Sequence, residues 1–314
     1  VRQAQSVTVE QGATITANAT QAGDGGKVVL WSDITNKNGF TKFDGSIEAT
    51  GFAGGKGGRV ETSGHVIDVS NGSINVKSGG GDNGLWLIDP YNVTIGASGT
   101  AITGDLNASS TSSITAASVS ALLNNGTDVT ISTGAIGSAG TDAGNIMLTS
   151  AISKTSGASA TLTLSAANTI SGTTGISSTS NALNLVLDVG GGSAVLSGVL
   201  ALGAGSLTKT GAGTLGLSGS NTYTGTTTVN GGILTVSNAN GLGTVPGGAV
   251  TVNNGAKLDL SAAPASKPII LAGGSTLSAG STNISLTGPV TLTGNATIDT
   301  SVTVILNGVV SGTG

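Results

Sequence analysis

Apolar residues in this chain alternate with polar ones in short bursts, as at Leu215 and Leu217, Leu234 and Val236, and Leu258 and Leu260. A period of two places such residues on one face of a β-strand, and the glycines and Asn-Gly pairs between bursts are turn formers. A new burst follows about every 16 to 23 residues along most of the chain. Strands this short cannot bury a face alone. The economical solution coils the chain so that each strand lies parallel to the last, with one face of every coil turned inward, and the pattern therefore predicts an all-β solenoid.

The pattern changes along the chain in three stages. Residues 1–95 carry a diverged repeat: Gly12-Ala13-Thr14-Ile15, Gly45-Ser46-Ile47 and Gly72-Ser73-Ile74 each open a strand. Gly25-Gly26-Lys27-Val28, Gly57-Gly58-Arg59-Val60 and Gly84-Leu85-Trp86-Leu87 each turn the chain into the next. Residues 96–205 are rich in Ser, Thr and Ala, with strands expected at Val129/Ile131, Ile146/Leu148, Leu162/Leu164 and Leu185/Leu187. Within them Val119, Leu122 and Leu123 have helical spacing, so one short helix is expected over 116–124, ended by Asn124-Asn125-Gly126. Residues 206–314 return to plain coils at Val250/Val252, Ile284/Leu286, Val290/Leu292 and Val302/Val304. Pro264, Pro268 and Pro289 are expected in loops or at strand starts, and the 262–267 segment as a bulge from the stack. The three stages are expected to form one continuous solenoid. Some fifteen coils about 4.8 Å apart would make a rod about 70 Å long.

Two stretches resemble known families. Leu207, Lys209, Gly211, Gly213, Leu215, Leu217, Gly219, Asn221, Tyr223, Gly225 and Thr227 resemble the autotransporter-associated β-strand repeat, at about 206–237. That resemblance implies a secreted passenger folded as a right-handed parallel β-helix. In residues 1–95, Gly25 to Asp33, Gly57 to Gly64, and Trp86-Leu87-Ile88-Asp89-Pro90 followed by Asn92-Val93-Thr94-Ile95 resemble filamentous-haemagglutinin-like exoproteins of two-partner secretion. The insert Thr35 to Phe40 departs from that family, which usually has a short turn there. The second resemblance implies a bacterial adhesin at the cell surface, exported through an outer-membrane transporter barrel. It also implies a role in adhesion, aggregation or biofilm matrix, with surface glycans or proteins as partners. A passive spacer in a contact-dependent toxin-delivery filament is the alternative, and a polysaccharide-cleaving β-helix enzyme the third.

Composition agrees with a repeat architecture. Of 314 residues 54 are glycine, seven are aromatic and 8% are charged, which fits no ordinary globular core. The abundance of Val, Ile, Leu and Thr argues against disorder. The absence of cysteine suits a chain that crosses a periplasm unfolded. Seven of the eleven basic residues lie before Leu85, scattered among acids, so there is no basic stripe for nucleic acid. No apolar run approaches the roughly 20 residues of a membrane helix, and the first residues lack the features of a signal peptide. The pattern runs into both ends, so a segment of a larger protein is expected.

Candidate chemistry is sparse. His65, the only histidine, lies near Asp68, but the two are too close in sequence for a Ser-His-Asp arrangement, and a structural histidine is expected. Asp24 and Asp82 sit at glycine turns that could bind calcium, although the turn motif never recurs in register. Solvated turn acids are expected instead. A lyase needs clustered acids beside a base, whereas the acids here fall singly and only Arg2 and Arg59 are arginines. No catalytic residue, cofactor or metal is therefore expected. Trp31, Trp86 and Tyr91 could stack against sugars, yet their place in apolar runs favours the core. Asn18, Asn92, Asn107, Asn125, Asn283 and Asn295 begin glycosylation triplets, which arise by chance in so Asn- and Thr-rich a chain.

Overall fold

In the computed structural model, which describes residues 4–98, 112–133, 144–264, 266–280, 282–299 and 302–314, the chain is nearly all β, with parallel ladders and one helix among the described residues. It divides into two compact units, Val1–Ala167 and Asn168–Gly314. Each is built as a parallel β-solenoid. The fold class expected from the alternation is therefore the one observed.

In the first unit the longest ladder joins Lys27–Trp31, Arg59–Gly64, Leu85–Pro90, Asp128–Thr133 and Ala160–Ala166. Its register stacks Val28 on Val60, Trp86, Val129 and Leu162. The three glycine turns recognised in the sequence thus deliver equivalent positions to one column. A second ladder stacks Ile15, Ile47 and Ile74. A third joins Ser6–Val9, Phe40–Phe43 and Val66–Asp68. The coils of residues 1–95 are longer than those of most of the chain, with Ile15, Ile47 and Ile74 lying 32 and 27 residues apart. The insert before Thr41 forms a turn in which the Gly39 amide donates to the Asn36 carbonyl.

The helix runs Ala116–Asn124, the range the spacing predicts. Thr115 caps it, its hydroxyl accepting from the Ser118 amide at 3.0 Å, and Gly126 follows at φ +73°. Val119, Leu122 and Leu123 face inward, as expected.

In the second unit one ladder runs from Leu183–Val189 through Leu207–Thr210, Thr227–Val229, Val250–Val252, Ile269–Leu271 and Val290–Leu292 to Val310–Gly312. A second stacks Ala194, Leu215, Leu234, Leu258, Leu277 and Ile298 in register. Leu215, Leu217, Leu234 and Val236, the expected core, are buried. Burying one such side chain contributes about 1.5–3 kcal/mol, and each column shares that gain between neighbouring coils. Two expectations need correction. The last predicted alternation is displaced, with the strand at Val304–Leu306. The 262–267 segment does not simply bulge outward, because Pro264 and Lys267 are buried, with the Lys267 ammonium 6.0 Å from the Tyr223 ring centre.

Candidate functional site

The densest set of specific interactions lies in the coil between Leu207 and Val236. Lys209 occupies an inward column position between Leu187 and Val229, where its methylenes pack as an aliphatic side chain would. Its ammonium leaves the core at the corner and donates to the carbonyls of Thr210 at 3.0 Å, Gly211 at 3.1 Å and Gly231 at 2.9 Å. Two successive turns are thereby pinned by one cation. Burial pushes its pKa down, opposed by the charge of Asp188.

Asn221 does the equivalent work between the strands Thr214–Leu217 and Thr227–Val229, and it is fully buried. Its Oδ1 accepts from the Leu200 amide at 2.8 Å, and its Nδ2 donates to the Gly241 carbonyl at 2.7 Å. One side chain thus satisfies a backbone group of the coil before and of the coil after. Tyr223, also buried, shares a 2.7 Å hydrogen bond with the Thr227 hydroxyl, and burial raises its pKa. Thr227 itself holds a column position between Leu207 and Val250. At Gly225 a Cβ would collide with the Gly205 carbonyl, so glycine is demanded by the close approach of two coils. Lys209 and Asn221 thus connect one coil to the next, while Tyr223 and Thr227 tie the ends of one corner together.

Two other lysines follow the same scheme. Lys154 donates to the carbonyls of Ser156 at 2.7 Å and Gly157 at 3.2 Å, and Lys267 reaches that of Gly248 at 3.5 Å. Burial lowers the pKa of both. Charge alone reads such residues as outward-facing, so the sequence offered no sign of this capping role beyond the glycines beside them.

The aromatic candidates are not brought together on one surface. Trp86 is 1% exposed and donates its indole N–H to the Thr62 hydroxyl at 3.1 Å, while Tyr91 is 5% exposed. Neither ring offers a face to a sugar. Trp31 is 47% exposed on the outer side of its strand, next to Val29. Its register partners are Ser63 and then Asp89, but Ser63 is buried and Asp89 partly so, so in this row only the Trp31 ring stands open to solvent. Asp89 is pushed up to about 6, first by burial and then by the charge of Glu61, against a hydrogen bond from Ser132.

His65 stacks on Tyr91 with ring centres 4.8 Å apart, and its Nδ1 lies 3.1 Å from the Ile34 carbonyl. The Asp68 carboxylate accepts from the Ser70 amide. Asp24 accepts from the Lys56 amide at 2.8 Å, and Asp82 pairs with the Lys56 ammonium at 2.9 Å. The two proposed calcium ligands are thus engaged with one lysine, and no cluster of three His, Cys, Asp or Glu occurs among the described residues. Of the glycosylation triplets, Asn18, Asn92 and Asn283 use their side-chain oxygens on backbone amides of neighbouring coils, and Asn107 lies outside the described residues. No described helix is long and apolar enough to cross a membrane.

A family model described as the passenger-associated-transport-repeat matches residues 159–178 and 207–236. The second match is the coil just described. The first, around Leu162, Leu164 and Ile170, lacks the lysine and tyrosine by which the other is recognised in sequence, and only its apolar alternation and glycines could have revealed it. Comparison with curated proteins finds no match. The chain therefore carries autotransporter-type passenger repeats within a parallel β-solenoid, which implies a secreted or surface-exposed protein.

Proposed function

We propose that this chain is a structural and adhesive segment of a large bacterial surface exoprotein, working outside the cell and without catalysis. The observation that carries the reading is the coil at 207–236, where Lys209 and Asn221 are spent on joining coils and Tyr223 and Thr227 on closing one. Such a segment extends and holds; it does not turn over a substrate. Adhesion, export through an outer-membrane barrel of the two-partner type and a place in biofilm matrix extend this reading. The motifs of residues 1–95 support them. Trp31, exposed beside Val29, is the best-placed contact for a surface glycan.

Direct binding of the purified chain to bacterial and host cell surfaces and to matrix polysaccharides tests this. Saturable binding that Trp31→Ala abolishes, with an unchanged melting temperature, supports an adhesive role at that face. Absence of binding to every surface leaves the spacer of a toxin-delivery filament as the better account. Depolymerisation of any polysaccharide, read as a fall in viscosity, would overturn the non-catalytic reading.

A further inference from the structure

The ladder of Ile15, Ile47 and Ile74 ends at the strand Ser73–Asn75, and what lies beside that strand is the helix Ala116–Asn124. Strands stack about 4.8 Å apart, whereas a helix with its side chains is about 10 Å across and offers no ladder hydrogen bonds. The two cannot close up as two strands would. A recess of about 200 Å³ remains between them, with Ile74, Trp86 and Leu122 as its apolar lining and Ser73, Ser118 and Asn125 as its polar one.

We propose that this recess binds an uncharged sugar ring. No ionisable side chain lines it, so it offers a charged ligand no partner. The Ser73 hydroxyl and the Asn125 amide are exposed and make no side-chain hydrogen bond among the described residues, while Ser118 shares its hydroxyl with Thr115 at 2.6 Å. A purely apolar guest would cover these groups without satisfying them. A pyranose carries C–H groups on its faces and hydroxyls around its rim, which suits an apolar floor beside hydrogen-bonding groups. Size points the same way. At about 30 Å³ per water the recess holds roughly seven waters, and it is smaller than the 300–1,000 Å³ of drug-sized pockets, so it accommodates one ring and not a chain of them. Trp86 lines the recess but is almost wholly buried, so its indole face is not open to a ring. The ring is therefore held against an apolar floor and not sandwiched on an indole face.

The site is separate from the Trp31 row, and the test keeps the two apart. Trp31 and Trp86 are the only tryptophans, so Trp31→Phe in the full chain leaves Trp86 as the sole tryptophan, selectively excited and set in the lining of the recess. Glucose, galactose and N-acetylglucosamine are titrated through the millimolar range, the affinity a ligand of so few atoms can reach. Emission is followed together with saturation transfer to the sugar protons. The expected result is saturable binding of at least one sugar, weakened at least tenfold by Ser73→Ala with Asn125→Ala in the same background. Both side chains are exposed, so an unchanged circular dichroism spectrum accompanies the loss. No saturable signal by either method with any of the three sugars overturns the proposal. Binding undiminished in the double variant, or equal binding of benzoate, overturns it too.

Discussion

Replacing Lys209 by methionine sets two physical effects against each other. The aliphatic stem is retained, so the column between Leu187 and Val229 stays filled. What is lost is the cation shared by the carbonyls of Thr210, Gly211 and Gly231. A carbonyl deprived of its partner costs about 1–3 kcal/mol when buried. These three residues are half-buried, so water recovers part of the loss, and the low end, about 3 kcal/mol in all, applies. Removing a buried cation also lifts its desolvation cost, which in other settings makes such replacements neutral or stabilising. Here the acceptors stay behind, and the net is a destabilisation of about 2–3 kcal/mol. Lys209→Ala additionally removes three methylenes, each worth about 0.8 kcal/mol, and should cost about 4–5 kcal/mol. Urea unfolding followed by circular dichroism measures both, with an unchanged slope showing that the same surface unfolds. A methionine variant as stable as the parent, or more so, would refute the claim that this lysine holds the two turns together.

Other substitutions probe the same logic elsewhere. The pKa of Asp89 is raised from 3.8 to about 6 in the fold, so the folded state holds its proton more tightly and stability falls as pH rises from about 4 to about 6. Discounted for the water that still reaches this side chain, the loss is about 1–2 kcal/mol. Asp89→Asn should recover it at about pH 8 and change little at about pH 3, as melting temperatures at the two pH values would show. Gly225→Ala drives a methyl into the Gly205 carbonyl and should cost upwards of about 2 kcal/mol. Gly12→Ala, at φ +84° with open space around it, should cost about 1 kcal/mol. Equal melting temperatures for the two alanine variants would count against close approach as the reason for Gly225.

Much of the fold was legible because apolar alternation and glycine turns are local signals. The turns opening at Gly25, Gly57 and Gly84 were legible as equivalents, and the ladder stacks Val28, Val60 and Trp86 just after them. The helix was legible for the same reason, since Val119, Leu122 and Leu123 break the strand period. Trp31 was harder. The run Val28-Val29-Leu30-Trp31 is apolar on both faces, so parity alone does not say which face is inward; the column through Val60 and Trp86 does, and it turns Trp31 outward. The lysine caps were not legible, because the carbonyls that take the Lys209 ammonium include one 22 residues away. The recess beside the helix was equally hidden, since nothing in the sequence sets Ser73 against Asn125.

The central claim is that polar residues of the 207–236 repeat connect one coil to the next. Amide hydrogen exchange of the Asn221→Ala variant, read residue by residue against the parent, tests it most directly. Asn221 accepts from Leu200 and donates to Gly241, in the coils before and after. The account predicts faster exchange at the Leu200 amide and through 240–244, about 20 residues away on either side, with the Ala116–Asn124 helix unchanged. Acceleration confined to the few residues around position 221 would contradict it.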